Sequence, residues 1–478
     1  MKLNQSIGVV LAVAVSLTAG GQARVRPGSD QGQAPAPAVT VAPAVPAKLD
    51  PAALTARIDE YLQAQAKQNG FMGTVLLAHE GKPLFKKGYG FANVEWQIPN
   101  AADTKFRIGS ITKQFTSMLI MLLREQGKVK LEDSLCVYLE PCPETWKPVT
   151  IHHLLTHTSG IPTYTGLAEW RKVNMVPHTI DQMIGFFKNL PLEWKPGEKY
   201  AYNNSGYFLL GVVIEKASGK KYEDALKDMI LTPLGLKDSG YDWTSTIIPK
   251  RAAGYMGMGE KLTNTAPLDM QQPYSAGSLY STVEDLLKWD QALYTTRLLP
   301  DAAKKIMWTP ALNNYAYGWN IRPPSETSFG YQWIAHSGGI NGFSSMLIRI
   351  PDAKMTSIVL GNNGTLPTGP IAQDLLNIYF GRPYRIPQPP AKVTTAVMDR
   401  YVGEYELKPG FTITISRKGE QLMAQATGQE PFELTAESDT KFNAKVAGIA
   451  VTFVTGADGA ATELILHQGG DRRAKKIR

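Results

Sequence analysis

Apolar and polar residues follow two different periods along the first 385 residues, and their order predicts a mixed α/β unit of the α+β type. Alternating runs predict strands near both ends of this stretch. These strands cover residues 73–80, 83–92, 317–321, 333–336, 343–350 and 355–361. Elsewhere, apolar side chains recur every three to four residues, which predicts helices. These helices cover residues 54–66, 180–188, 206–218, 222–231, 282–294 and 371–380.

Two strands therefore come early, helices fill the middle, and strands return late. That order favours one antiparallel sheet built from both ends of the unit and flanked by helices, with a helical region inserted between its halves. We expect the active site to lie between the sheet and this helical region.

A proline-rich stretch at 383–390 ends this unit, and the residue pattern changes after it. From about residue 396, short alternating segments are separated by Gly, Asp and Ser turns, which is typical of an all-β sandwich or small barrel. We therefore predict a linker at 386–395 and a C-terminal β domain at 396–478. The last eight residues carry five basic side chains and one acidic side chain, and we interpret them as a solvated tail.

The first 23 residues have the pattern of an export signal. Lys2 precedes a short apolar run, and small residues follow it up to a predicted cleavage site after Ala23. Residues 24–50 are rich in Pro and Ala and predict an extended or disordered linker, so the main domain would cover 51–385. No later apolar run approaches the length of a membrane span, and we expect a periplasmic or secreted protein.

The distribution of charge argues against nucleic-acid binding. The formal net charge is +8, but the two ends of the chain supply most of it, and the body is nearly neutral. Nucleic-acid-binding domains concentrate basic residues on a folded face instead. The content of 43% hydrophobic and 19% charged residues is that of a globular protein.

Cys136 and Cys142 are the two cysteines of the chain. In an exported protein this short spacing favours a local disulfide, and two free thiols in a loop are the alternative. Two cysteines alone cannot form a structural zinc site.

The first candidate for chemistry is Ser110, which follows a glycine turn and opens a predicted helix. Lys113 lies three positions later and therefore points from the same helical face. A serine hydroxyl is a poor nucleophile until a base removes its proton, and a lysine of lowered pKa can be that base. The same Ser-x-x-Lys spacing recurs at Ser218 and Ser438. Gly219 should end the helix that holds Ser218, and Ser438 lies in the β-rich region.

Two further motifs follow in the same domain. Tyr202 and Asn204 lie in a loop before a helix, where a tyrosine could relay protons and an asparagine amide could bind a substrate carbonyl. Asn204 could instead cap the helix, and Tyr202 could be a buried structural residue. His336 begins a His-Ser-Gly-Gly sequence on a predicted edge strand, with a structural histidine as the alternative. Gly338 and Gly339 would let a substrate approach the backbone closely.

A metal site is not predicted. His153 and His157 are four residues apart, as two zinc ligands on a helix are, but Leu154 stands where zinc proteases carry glutamate, and no third ligand is evident. We interpret the histidine pair as a helix-packing pattern and predict neither a metal nor a cofactor. The sequence also lacks the Gly-x-Ser-x-Gly elbow of α/β-hydrolases.

The motifs that begin at Ser110, Tyr202 and His336, in this order, resemble those of the serine β-lactamase and penicillin-binding-protein superfamily. The version with Tyr-x-Asn and His-x-Gly is similar to class C β-lactamases and, more closely, to related esterases and D-amino-acid peptidases. This resemblance covers roughly 55–385. The C-terminal segment resembles the lipocalin-like β-barrel often appended to such hydrolases.

The resemblance implies catalytic roles for three residues. Ser110 would be the nucleophile and would form an acyl-enzyme. Lys113 would help to deprotonate it, and Tyr202 would share the general-base work and protonate the leaving group.

The resemblance also implies a substrate site. Asn204 and the strand from His336 to Gly338 would line it, and the backbone N–H groups of Ser110 and Gly339 would form the oxyanion hole. Many superfamily members carry lysine in place of His336, where it helps to bind a substrate carboxylate. A neutral histidine would do this less well. The departure disfavours a β-lactamase or a cell-wall carboxypeptidase and favours ester or amide substrates of looser definition.

The sequence thus predicts an exported serine hydrolase that acts through an acyl-enzyme on small esters, amides or D-amino-acid peptides. The alternative is a penicillin-binding protein or sensor that binds β-lactams or peptidoglycan fragments with little turnover. The intact Ser110, Lys113 and Tyr202 favour the hydrolase.

Overall fold

The computed structural model describes residues 50–444, 449–468 and 470–478. The predicted export signal and nearly all of the predicted linker at 24–50 lie outside the described residues. The chain forms two compact units, and the boundary between them lies between Pro387 and Gln388.

Helices and strands of the larger unit form the predicted α+β arrangement, which is confirmed. Its helices are α1 Pro51–Asn69, α2 Thr112–Glu125, α3 Ile151–Leu155, α4 Ala168–Val173, α5 Ile180–Gly185, α6 Asn204–Ser218, α7 Tyr222–Leu226, α8 Thr232–Leu234, α9 Val283–Ala292, α10 Asp301–Trp308 and α11 Thr368–Tyr379. Its strands are β1 Gly73–His79, β2 Lys82–Tyr89, β3 Phe91–Asn93, β4 Ile98–Pro99, β5 Phe106–Arg107, β6 Gly240–Tyr241, β7 Tyr255–Met256, β8 Thr263–Asn264, β9 Leu279–Ser281, β10 Asn320–Arg322, β11 Trp333–Ile340, β12 Phe343–Ile350 and β13 Met355–Gly361.

One antiparallel sheet joins the two ends of this unit. Its strand order is β10-β11-β12-β13-β1-β2, so the late strand β13 pairs with the early strand β1. Leu76 lies opposite Ile358 in that pairing. The hydrophobic pattern thus predicted both the sheet and the insertion of helices between its halves.

The two faces of the sheet are buried against different helices. Leu76 and Leu347 belong to the core that contains α2 and the inserted helical region. Val75 and Ile348, one residue along each strand, belong to the second core with α1 and α11. This alternation follows from the two-residue period of a strand, and it leaves the sheet covered on both sides.

The local structure agrees with the predicted elements at α9 and differs from them at β10. Thr282, the first residue of the helix predicted at 282–294, is the cap of α9, and its hydroxyl accepts a hydrogen bond from the N–H of Asp285. The strand predicted at 317–321 is wrong in its first half. Gly318 has a φ of +78° and forms a turn, so the strand begins only at Asn320.

The C-terminal unit is a closed antiparallel barrel, one of the two all-β forms that the alternating pattern predicted. A short helix, α12 Thr395–Asp399, precedes it. The strands are β14 Gly403–Lys408, β15 Phe411–Lys418, β16 Gln421–Ala426, β17 Phe432–Ala436, β18 Lys441–Ala444, β19 Ile449–Thr455, β20 Ala461–His467 and β21 Asp471–Lys476. Tyr405, Phe453 and Leu464 are buried in its core.

The interpretation of residues 471–478 as a free basic tail is wrong. β21 pairs with both β20 and β14 and closes the barrel. Ala474 is fully buried, whereas Arg472 and Arg473 stay exposed, so the strand buries its backbone and solvates its charges. Five of the eight residues at 471–478 are basic, and Ala474 is the one apolar residue of β21 that indicates its inner face, so the alternating pattern was not recognised.

Cys136 and Cys142 form a disulfide, with Cα atoms 5.3 Å apart. Among the helices that the structure describes, none combines the length and the apolar content needed to cross a membrane.

A buried ion pair fixes α9 to the central sheet. Arg349 on β12 donates from Nε to Oδ1 of Asp290 at 2.6 Å, and Thr356 donates its hydroxyl to Oδ2 at 2.6 Å. Both charged side chains are at most 1% exposed. Each therefore depends on the other for compensation of its charge.

We predict that Asp290→Ala lowers the free energy of unfolding by about 3–5 kcal/mol, because Arg349 is left buried without its counter-ion. Asp228→Ala breaks the half-exposed pair with Lys220 and serves as the control. It should cost at most about 1 kcal/mol. Urea unfolding at pH 7 measures both, and equal losses would contradict the prediction.

Candidate active site

Ser110 lies in a single 3₁₀ turn, Gly109–Ile111, that leads into α2. The α-helix itself starts at Thr112, two residues later than the predicted start. Gly109 has a φ of +50°, a left-handed conformation that glycine adopts without strain, as expected of the turn residue. The Thr112 hydroxyl accepts a hydrogen bond from the N–H of Leu279, which ties the start of α2 to β9.

Lys113 is fully buried and contacts three oxygen atoms. Its Nζ lies 3.1 Å from Oγ of Ser110, 2.9 Å from Oδ1 of Asn204 and 2.8 Å from the carbonyl oxygen of Ala276. Desolvation lowers the pKa of Lys113 well below its usual value, because burial penalises the charged form. The structure thus places a lysine that loses its proton readily beside the serine hydroxyl.

Tyr202 contacts the same pair from the loop before α6. Nζ of Lys113 lies 4.8 Å from the centre of its ring, and its hydroxyl interacts with the Ser110 hydroxyl. Desolvation raises the pKa of Tyr202, and the interaction with Ser110 offsets this only in part. Tyr202 is therefore a protonated phenol at neutral pH.

Asn204 is not the cap of α6, the structural alternative considered for it. Asn203 is the cap, and its side chain accepts a hydrogen bond from the N–H of Gly206. The Asn204 side chain is thus available to the site, where Oδ1 accepts from Lys113 and Nδ2 donates to the Thr165 hydroxyl at 3.2 Å.

His336 lies on β11, where this strand becomes an edge. β10 pairs with β11 only at residues 333–335, so from His336 onward this edge of β11 has no paired strand among the described residues. The ring is 3% exposed. Nδ1–H donates to the carbonyl oxygen of Ser337 at 2.6 Å, and Nε2 accepts from the Tyr315 hydroxyl at 3.0 Å.

Burial keeps His336 uncharged, although the hydrogen bond to the Ser337 carbonyl opposes this by raising the pKa. Desolvation, together with the charge of Lys113, lowers the pKa of His336 to about 4. At neutral pH His336 brings no positive charge to the site. This agrees with the expectation from finding histidine where many superfamily members carry lysine.

Gly338 and Gly339 differ in what surrounds them. A Cβ on Gly338 would lie 1.9 Å from the carbonyl oxygen of Ile108, whereas one on Gly339 would have no atom within 4 Å. The Ser345 hydroxyl donates to the Ile108 carbonyl at 2.9 Å. β11 and β12 are thus pressed against the turn that carries Ser110, and glycine at 338 permits it.

Ser110, Asn204 and Gly339 line one cleft of about 140 Å³. The side chains around it carry no charge. Its other lining residues are Tyr164, Thr165, Trp170, Leu268, Pro273, Ala276, Gly277, Ile340 and Asn341. The structure therefore brings the predicted catalytic and substrate-binding residues into one region. Lys113 and Tyr202 both contact Ser110. The ring of His336 packs against Tyr202, with the two ring centres 6.1 Å apart.

Two features of the site were not predicted. The Ala276 carbonyl that binds Lys113 is a main-chain group, and residue type carries no signal for it. His157 was interpreted as part of a helix-packing pair, which is wrong, because α3 ends at Leu155 and His157 adopts a φ of +59°. Its ring instead packs 4.4 Å from that of Tyr202.

The chain is similar to known proteins over both of its units. The Beta-lactamase family matches residues 58–376, and a second family, described as Domain of unknown function (DUF3471), matches residues 387–476. The chain is 31% identical over 442 residues to penicillin-binding protein 4* of Bacillus subtilis (strain 168), which covers 86% of this chain and 96% of that protein.

Two further relatives extend this finding. A teichoic acid D-alanine hydrolase of Staphylococcus aureus (strain NCTC 8325 / PS 47) is 31% identical over 289 residues, which covers 60% of this chain and 67% of that protein. The structure of an octameric penicillin-binding protein homologue from Pyrococcus abyssi superposes with a TM-score of 0.63 at 26% identity. It covers 88% of this chain and 99% of that one.

We predict that Gly338→Ala destabilises the protein and Gly339→Ala does not. The first methyl group collides with the Ile108 carbonyl, and the second meets open space. The stability of Gly339→Ala should stay within about 0.5 kcal/mol of the parent, whereas Gly338→Ala should lose about 1–3 kcal/mol or more. Urea unfolding of the pair measures this, and two variants of equal stability would refute it.

We also predict that His336 makes stability depend on pH. Because its folded pKa of about 4 lies below the usual 6.5, the unfolded chain binds more protons between these values. Stability therefore rises from pH 4 to pH 6.5. Between pH 5 and pH 7 this histidine should account for about 2 kcal/mol of the gain. His336→Gln should reduce the difference in unfolding free energy between the two pH values by that amount, and an unchanged difference would disprove the assignment.

Proposed function

The chain belongs to the beta-lactamase family and is a serine hydrolase, and from this premise we propose that it cleaves small esters and amides through an acyl-enzyme on Ser110. Lys113 acts as the base, Tyr202 as the proton donor to the leaving group, and the N–H groups of Ser110 and Gly339 as the oxyanion hole. The contacts of Lys113 are the observation that carries this proposal.

A neutral lysine has two N–H donors and one lone pair. The Asn204 side chain and the Ala276 carbonyl are acceptors and engage both donors of Lys113. The lone pair then faces the third contact, the Ser110 hydroxyl 3.1 Å away. This arrangement supports proton transfer from Ser110 to Lys113 as Oγ attacks the substrate carbonyl.

The later steps use the neighbouring groups. The tetrahedral oxyanion accepts hydrogen bonds from two backbone N–H groups, each worth about 3–4 kcal/mol in such sites. The Tyr202 phenol, kept protonated by its raised pKa, gives a proton to the leaving group and recovers one from Lys113. Water then hydrolyses the ester on Ser110 by the same path in reverse.

The substrate class follows from the charge of the cleft. Its lining side chains are uncharged, and His336 is neutral, so a substrate carboxylate would be buried there without a counter-ion, which is costly. One relative is named as a teichoic acid D-alanine hydrolase. From the uncharged cleft we propose esters and amides without a carboxylate beside the scissile bond, ahead of peptides that end in one. The name of that relative supports a D-alanyl group as the acyl part.

A penicillin-binding protein with little turnover is the second candidate. The similarity to penicillin-binding protein 4* over 96% of that protein favours it. Such a protein would become acylated at Ser110 by β-lactams and would release the product slowly.

We also propose that the chain is exported, with cleavage after Ala23. The disulfide between Cys136 and Cys142 supports this, because disulfides persist in oxidising compartments outside the cytosol.

We predict that Ser110→Ala abolishes hydrolysis of p-nitrophenyl acetate and of D-alanine amide, because the nucleophile is lost. Ser218→Ala is the matched control. It alters a Ser-x-x-Lys sequence at the end of α6, where Gly219 adopts a left-handed conformation and stops the helix. This control should keep full activity.

Steady-state release of p-nitrophenol and of ammonia measures the two reactions. Activity that survives in Ser110→Ala would reject the nucleophile. A burst of one equivalent of product from a chromogenic cephalosporin, without turnover of the ester or the amide, would favour the second candidate.

A further inference from the structure

We infer that His157 positions Tyr202 for proton transfer, an inference that rests on the proposed function. His157 lies beyond the end of α3 and is 1% exposed. It does not line the cleft. Any part it has in the reaction must therefore pass through the residues it holds.

His157 binds the main chain on both sides of Tyr202. Its carbonyl oxygen accepts a hydrogen bond from the N–H of Ala201 at 3.0 Å. Its Nδ1 accepts one from the N–H of Asn203, also at 3.0 Å. A single residue thus fixes the backbone immediately before and immediately after the tyrosine.

The imidazole ring also fixes the tyrosine side chain. Its centre lies 4.4 Å from that of Tyr202, 4.5 Å from that of Tyr315 and 4.9 Å from that of Tyr207. Tyr315 donates to His336 and Tyr207 donates to the carbonyl oxygen of Leu155, so the ring packs among anchored neighbours. Tyr202 itself is 38% exposed, so these rings support the phenol from its protein side and restrict its movement in that direction.

The hydrogen bonding fixes one tautomer of His157. Because Nδ1 accepts from a backbone N–H, the proton of the neutral ring resides on Nε2. Nε2 is buried, and the described part of the chain offers it no acceptor. An unpaired buried N–H costs stability, so a site that needed only an apolar ring would be served better by an apolar side chain.

This arrangement assigns His157 a positioning role with a definite chemical requirement, namely an acceptor at the place of Nδ1. Asparagine can supply one with Oδ1, and it tolerates the left-handed backbone found at this position. Leucine supplies packing volume and no acceptor. The pair therefore compares a variant that keeps the hydrogen-bond acceptor, His157→Asn, with one that keeps only packing volume, His157→Leu.

The experiment compares kcat and KM for p-nitrophenyl acetate in the two variants, with His152→Leu as control. His152 lies on α3, five residues before His157, and the hydrogen bond of its side chain is to Tyr317. We expect kcat of His157→Leu to fall about 100-fold with little change in KM, because a small displacement of a catalytic group has effects of that size. His157→Asn should recover most of kcat, and His152→Leu should match the parent.

Two kinetic results would overturn the inference. One is a His157→Leu variant that keeps the kcat of the parent. The other is a His157→Asn variant that folds but is as slow as His157→Leu.

A measurement without turnover covers the case in which neither variant folds. In protein labelled with ¹⁵N at histidine, the signals of His157 at pH 7 should be those of a neutral ring protonated at Nε2. A proton on Nδ1, or a charged ring, would overturn the inference. This result is independent of hydrolysis, so it is distinguishable from a failure of the proposed function, which would appear as activity in Ser110→Ala.

Discussion

The burial of Lys113 is the constraint on which the site depends. An amine in water at neutral pH is protonated and cannot accept the proton of Ser110. Here the protein removes the amine from water, lowers its pKa and engages it with the Asn204 side chain and the Ala276 carbonyl. Those oxygens orient the nitrogen without supplying the negative charge that would hold its proton. In the proposed mechanism, burial and neutral acceptors together allow this lysine to act as the base.

The rest of the larger unit holds this lysine and its neighbours in place. α2 carries Lys113, the start of α6 carries Asn204, and the segment before β9 supplies Ala276. The sheet contributes from the opposite side, where Ser345 on β12 binds the Ile108 carbonyl and Gly338 lets β11 lie against it. Each contributor lies in a different stretch of the chain, so the geometry of the site reflects the packing of the whole unit.

Residue type and periodicity predicted the features that depend on side chains in regular elements. Alternation located β1, β12 and β13, and the spacing of Ser110 and Lys113 indicated that they share a face. The spacing failed for His157, because a left-handed residue after a helix breaks the period. It also gave no sign of the Ala276 carbonyl, since main-chain groups are the same in every residue. The last barrel strand was missed because only Ala474 marks its buried face.

The contact between Ser345 and Ile108 joins residues 237 positions apart in the chain. Ser110, the proposed nucleophile, is therefore synthesised long before the strand that completes its surroundings. In an unfolded or half-made chain Lys113 is hydrated and protonated, and Ser110 is an ordinary alcohol with no donors arranged for an oxyanion. On the proposed mechanism, reactivity toward acyl groups would therefore arise only with the finished tertiary structure. A chain of this design would cleave no ester or amide during synthesis, and, if it is exported as proposed, none while it crosses a membrane unfolded.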